Sequence, residues 1–218
     1  MSDAPEPSGP AAPARDCARC PRLVAYRHAN RAAHPGFHNA PVDSFGALDA
    51  RLLVVGLAPG LKGANATGRP FTGDYAGDLL YATLLAFGFA EGRYGARPDD
   101  GLALVDARVT NAVRCVPPEN KPIGAEIASC RPYLAAEIGA MPNLMVILAL
   151  GVIAHGSVLA ALGLKKSAYK FGHGNTRALP DGPVLISSYH CSRYNTNTGR
   201  LTEAMFAQVF ETIRAQLG

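Results

Sequence analysis

The sequence predicts an α/β fold: a three-layer α/β/α sandwich around a central, mainly parallel four-stranded sheet. Three observations carry this. Short, branched apolar runs of strand length recur along the 218 residues. Most are followed by a segment with helical spacing. One junction between strand and helix is a long loop dense in glycine. Strands that alternate with helices give a parallel sheet covered on both faces.

The stretch 52–85 organises the rest. Leu52, Leu53, Val54 and Val55 have the length and branching of a buried strand. The following loop holds Gly56, Gly60, Gly63, Gly68 and Gly73, with Pro59 and Pro70. Glycine at that density lets backbone approach a ligand closely. Asp74 is placed to cap the next helix, whose Leu80, Leu84 and Phe87 recur at helical spacing and which Gly88 can end. Strand, glycine loop and helix together build anion or nucleotide sites at the carboxyl ends of parallel strands.

Residues 1–15, rich in Pro, Ala and Ser, read as a disordered lead-in, and 16–218 as a single domain. A short helix is expected over 23–33. A strand is expected to end near Asn111 and run into a loop stiffened by Pro117, Pro118 and Pro122. A helix over 123–140 should be interrupted early by Pro132. Residues 144–150 form the strongest strand signal, followed by a helix from Gly151 to about 162. Residues 183–189 give the fourth strand, which delivers His190. A loop, CSRYNTNTGR, and a closing helix over 201–216 complete the chain.

No apolar run approaches the ~20 residues that span a bilayer, and no basic-then-apolar leader opens the chain. No membrane association is expected, and a monomer in the reducing cytoplasm is. The net charge of +4 says little alone. Its distribution says more: Lys165, Lys166, Lys170, Arg177, Arg193 and Arg200 face one acid, Asp181, over 163–202. That suits a polyanion, and equally a solvated basic face.

The five cysteines fall at 17, 20, 115, 130 and 191. Two pairs from distant parts of the chain could make a four-thiolate site, or be buried structural thiols. The spacing is not that of a zinc ribbon, which repeats C-x2-C. A [4Fe-4S] cluster tolerates it, because its ligands need only reach a compact cube. Cys191, beside His190, stands apart.

Five features occur together: GLAPG at 56–60, TGRPFTGDYAGDLL at 67–80, VTNAVRCVPPENKP at 109–122, the cysteines Cys17, Cys20, Cys115 and Cys130, and HCSRYNTNTGRLT at 190–202. Together they resemble the iron–sulfur uracil-DNA glycosylases, most closely the UDGb type, or fifth family. The match runs from Cys17 to the C-terminal helix. The related fourth family has an acidic residue where this chain has Leu57, and usually a shorter histidine motif. In the fifth family the histidine motif usually reads HPS; here it is His190-Cys191-Ser192.

The resemblance implies hydrolysis of the bond between a flipped-out base and deoxyribose. It implies that His190 donates to uracil O2 as negative charge builds there, and that Phe71 stacks on the base. Asn111 can pair with the base's edge, since its amide offers both donor and acceptor. The backbone of Gly56, Leu57, Ala58, Pro59 and Gly60 would bind the base or position water. Asp74 would orient the water, besides capping its helix. Ser192, Arg193, Tyr194 and Asn195 would meet phosphates or fill the gap left by the flipped nucleotide, with Tyr194 as the wedge. Cys17, Cys20, Cys115 and Cys130 would hold a structural [4Fe-4S] cluster. The expected partner is DNA containing uracil or other deaminated bases such as hypoxanthine.

Two rival classes are weaker. A nucleotide-binding enzyme would be expected to show G-x-G-x-x-G or G-x4-G-K-[ST], and the loop has neither. A non-catalytic iron–sulfur DNA sensor or electron carrier has no need of His190, Asn111 and Phe71 together.

Overall fold

The structure, a computed structural model, describes residues 12–180 and 182–218. Most of the expected lead-in, residues 1–11, lies outside the described residues, as does Asp181. In chain order the elements are α1 (Pro21–Ala33), β1 (Leu52–Gly56), α2 (Ala64–Thr67), α3 (Tyr75–Ala86), β2 (Ala90–Glu91), β3 (Ala103–Leu104) and β4 (Ala107–Asn111). Then follow α4 (Gly124–Gly139), β5 (Val146–Leu150), α5 (Val152–Ala161), β6 (Thr176–Ala178), β7 (Val184–Ser188), α6 (Arg193–Asn197) and α7 (Glu203–Leu217).

The main sheet has the order β4-β1-β5-β7-β6. The first four strands are parallel and β6 runs antiparallel to β7. The three apolar strands β1, β5 and β7 alternate faces as a pleated strand must. Leu52 and Val54 on β1, and Val146, Leu148 and Leu150 on β5, pack with Leu80, Leu84, Phe206 and Phe210 of α3 and α7. Leu53, Val55, Ile147 and Ala149 pack with Leu134, Ile138, Val158 and Leu159 of α4 and α5. Two apolar layers therefore sandwich the sheet. Each of these buried large side chains contributes about 1.5–3 kcal/mol.

This is the expected sandwich, with a sheet of five strands rather than four. The fifth, β6, is three residues long and half-exposed, so it carries no run or alternation that a sequence could show. Pro132 lies inside α4 without breaking it, and the helix continues to Gly139. Part of the loop after His190 is helical: Ser192 caps α6 by accepting from the Asn195 amide. A single turn, α2, forms within the glycine loop and ends at Gly68, whose φ of 80° is left-handed.

From β1 the chain moves to one side of the sheet, to β4, and then crosses to β5 on the other. The carboxyl end of β1 is thus where connections diverge, the place where open α/β sheets form ligand crevices.

Candidate active site

At this end of the sheet, Gly56 closes β1 beside its register partner Asn111, the last residue of β4. The backbone stays zipped beyond the sheet: Ala112 donates to Gly56 O (2.9 Å) and Val113 to Leu57 O (2.9 Å). His190 comes from the end of β7. A Cβ at Gly151, whose φ is 95°, would come into ordinary contact with the His190 Cβ at 3.6 Å.

A cleft of about 630 Å³ opens here, within the usual range for a small-molecule site. Leu57, Ala58, Gly60, Asp74, His190 and Ser192 line it, with Arg193 at its edge. Its inner end is a recess walled by Ala58, Pro59, Phe71, Asp74, Asn111 and His190. The Phe71 and His190 rings are 6.0 Å apart and close to parallel. A side chain at Gly56 would run into both the Asn111 amide and the Phe71 ring, so glycine is what lets those two sit together. The Asn111 side chain makes no hydrogen bond among the described residues, although the residue is buried.

Burial pushes the His190 imidazole down to about 4, so the ring is neutral at pH 7. Asp74 divides its carboxylate. Oδ1 accepts from the Gly77 amide (3.2 Å) and caps α3. Oδ2 faces Gly60 and Gly63, where any Cβ would crowd it. Burial raises the Asp74 carboxyl above its ordinary value, and backbone N–H groups of Gly77 and Ala76 only partly offset that.

Four residues expected on the DNA side sit differently from one another. Ser192 and Arg193 line the cleft, and the Arg193 guanidinium lies 5.3 Å from the Tyr75 ring centre. Tyr194 is 72% exposed. Asn195 turns inward, and its Nδ2 donates to the His190 carbonyl (2.8 Å). Tyr75 and Asn120 also line the cleft. Tyr75 reads in sequence as a first-turn helix residue and Asn120 as part of a proline loop, so neither gave a signal. Lys165, Lys166, Lys170, Arg177, Arg193 and Arg200 are all exposed. None of the six forms an ion pair among the described residues.

Cys17, Cys20, Cys115 and Cys130 converge on a second cavity, walled by Pro13, Leu23, Val113 and Tyr133. All four are free thiols. Among the described residues no three His, Cys, Asp or Glu side chains are grouped closely enough to share one metal ion. Four thiols around one cavity match the number of ligands that a [4Fe-4S] cluster takes. The surroundings suit an anionic group as well. The Arg114 amide points at Cys130 Sγ (3.4 Å) and Arg27 Nη1 at Cys115 Sγ (3.9 Å). Arg27 is buried and its Nε has no partner. Cys191 belongs elsewhere: it is fully buried in the main core, its thiol donating to the Ala76 carbonyl (3.4 Å).

An aromatic ring, an amide and an imidazole thus meet in one crevice at the carboxyl ends of a parallel sheet. Residues 44–214 match the family model described as the uracil DNA glycosylase superfamily, and the chain belongs to that family. Among its relatives is a type-5 uracil-DNA glycosylase of Thermus thermophilus, 46% identical over 88% of this chain and 90% of that protein. Another, from Pyrobaculum aerophilum, is 39% identical over 93% of this chain and 90% of its own length. A type-4 enzyme from the same organism is 33% identical over 72% of this chain.

Proposed function

We propose that the chain is a DNA repair glycosylase that hydrolyses the N-glycosidic bond of uracil in DNA and leaves an abasic site. The observation that carries this is the recess itself: Phe71, Asn111 and His190 meet there, and the Asn111 amide is uncommitted. A flipped base would lie against the Phe71 ring and pair its edge with Asn111. Negative charge grows on uracil O2 as the bond breaks. The neutral His190 imidazole would donate there, from a site with little water to weaken the interaction. Asp74 Oδ2 would orient the attacking water and favour positive charge on the sugar, while Oδ1 keeps its cap.

Ser192 and the six exposed cations, Arg193 among them, would bind phosphate, giving salt-sensitive and sequence-independent affinity. Tyr194 is exposed enough to enter the stack as a wedge. Asn195 would act on DNA only through His190, whose carbonyl it holds. Cys17, Cys20, Cys115 and Cys130 would hold a [4Fe-4S] cluster whose contribution is to cross-link the chain, since hydrolysis transfers no electron. With Leu57 and Ala58, and no acid, in the first loop, the substrate range extends to hypoxanthine. The protein works as a monomer inside the cell, with residues 16–218 as one domain against which Pro13 packs.

The test is release of base from oligonucleotides carrying one uracil or one hypoxanthine, followed by alkali, for the wild type and His190→Ala. Release by the wild type and a large loss in the variant are expected. No release from any substrate by cluster-loaded protein overturns the assignment. Release of uracil but not hypoxanthine overturns only the broad range.

A further inference from the structure

The segment 92–102, GRYGARPDDGL, had no part in the expected site, yet it braces the loop that presents Phe71. Phe71 has a φ of 51°, an unfavourable conformation for an aromatic residue that persists only where neighbours enforce it. Tyr94 touches it on both sides. Its hydroxyl donates to the Phe71 carbonyl (3.3 Å) and accepts from the Gly73 amide (3.4 Å). The Tyr94 ring stacks on Tyr81 at 4.8 Å, and the Tyr81 hydroxyl donates to the Pro70 carbonyl (2.6 Å). Two tyrosines thus hold two consecutive carbonyls.

Behind them lies a buried ion pair. Arg69 makes two parallel bonds to Asp100, at 2.8 and 2.7 Å, and its guanidinium is within 6 Å of the Phe45, Tyr81 and Tyr94 rings. Asp100 also accepts from the amides of Gly95 (2.8 Å) and Leu102 (3.1 Å), which fixes the segment that carries Tyr94. On the other side, Gly77 has no side chain and any Cβ there would strike the Phe71 carbonyl.

We infer that Tyr94, backed by Arg69 and Asp100, is a positioning residue that sets the height and tilt of the Phe71 ring against the base. This rests on the glycosylase reading of the recess. Tyr94→Phe removes only the hydroxyl and keeps the stack on Tyr81. Base release in single turnover should slow roughly threefold to tenfold, the equivalent of one hydrogen bond, with duplex affinity unchanged. In a Phe71→Ala background the same change should have no further effect, because the ring it positions is gone. Inhibition by free uracil reads the stack without chemistry and should weaken by the same factor as the rate. An unchanged rate or unchanged uracil inhibition in Tyr94→Phe overturns the inference. So does an equal slowing in both backgrounds, the mark of a merely structural residue. Wild type and His190→Ala, run alongside, report separately on whether the recess is a glycosylase site at all.

Discussion

Phe71 and His190 face each other across one recess, their ring centres 6.0 Å apart and their planes within 25° of parallel. They come from distant parts of the chain, one from the glycine loop after β1 and the other from the end of β7. Neither ring is free to leave. The Phe71 backbone is held by Tyr94, and the His190 carbonyl by Asn195.

The state of His190 has a consequence in pH. Burial holds its pKa near 4, against an ordinary 6.5. The folded protein therefore keeps the ring neutral where the unfolded chain would protonate it. The sign follows: stability that depends on the neutral ring is present above about pH 6.5 and is lost as pH falls toward 4, by at most roughly 1.4 kcal/mol per unit. His190→Ala should flatten that loss in urea melts at pH 7 and pH 5. It should also slow base release about a hundredfold or more. A variant as pH-sensitive as the wild type would place the titration elsewhere.

Asp74 can be tested for its two oxygens separately. Asparagine caps helices about as well as aspartate, so Asp74→Asn keeps the α3 cap and removes the buried charge. Burial raises this carboxyl's pKa, so ionising it costs stability at neutral pH. Asp74→Asn should melt at the same temperature as the wild type or higher, yet release base about a hundredfold more slowly. Asp74→Ala should lose roughly 1 kcal/mol of stability as well. Activity that simply tracks melting temperature would leave Asp74 with the cap alone.

Gly56→Ala tests the packing of the recess. The added methyl meets the Phe71 Cζ at 2.5 Å and the Asn111 amide closer still. Overpacking of this kind costs about 1–3 kcal/mol. The folded variant should keep its affinity for undamaged duplex and lose most of its base release. Normal kinetics would mean that Phe71 and Asn111 need not meet.

The cysteines make a fourth prediction. Cys130→Ala should lose iron and visible colour, and about 2–5 kcal/mol of stability, as when a structural cross-link is removed. Base release should fall only in part, in contrast to His190→Ala. Cys191→Ala should keep the iron in full, because Cys191 lies in the main core and not at the second cavity. Iron analysis with thermal melts decides both.

Much of this was legible in the residues. The runs at Leu52–Gly56 and Val146–Leu150 are apolar on both faces, and only central parallel strands read that way. Asp74 announced its cap by position, and the capping bond is present. The β6 edge strand and the α6 turn were hidden, because each is short and half-exposed and so needs no pattern. The brace was hidden for another reason. Tyr94 and Asp100 sit among Gly, Arg and Pro with no periodicity, and their meaning lies in contacts with Phe71 and Arg69, which are distant in sequence. The inward turn of Asn195 could not be read either, since a polar residue after a histidine motif looks the same whether it faces DNA or backbone.

The second cavity dictates an order of events during synthesis. Cys17 and Cys20 leave the ribosome first, and their partners at 115 and 130 only after β1 and β4 have emerged. The backbone bonds from Ala112 and Val113 to Gly56 and Leu57 place Cys115 only once those two strands have paired. The second cavity thus joins the N-terminal segment to the β1–β4 pair. His190 follows Cys130 by 60 residues, so the recess receives its histidine only after every cysteine of the second cavity has been made.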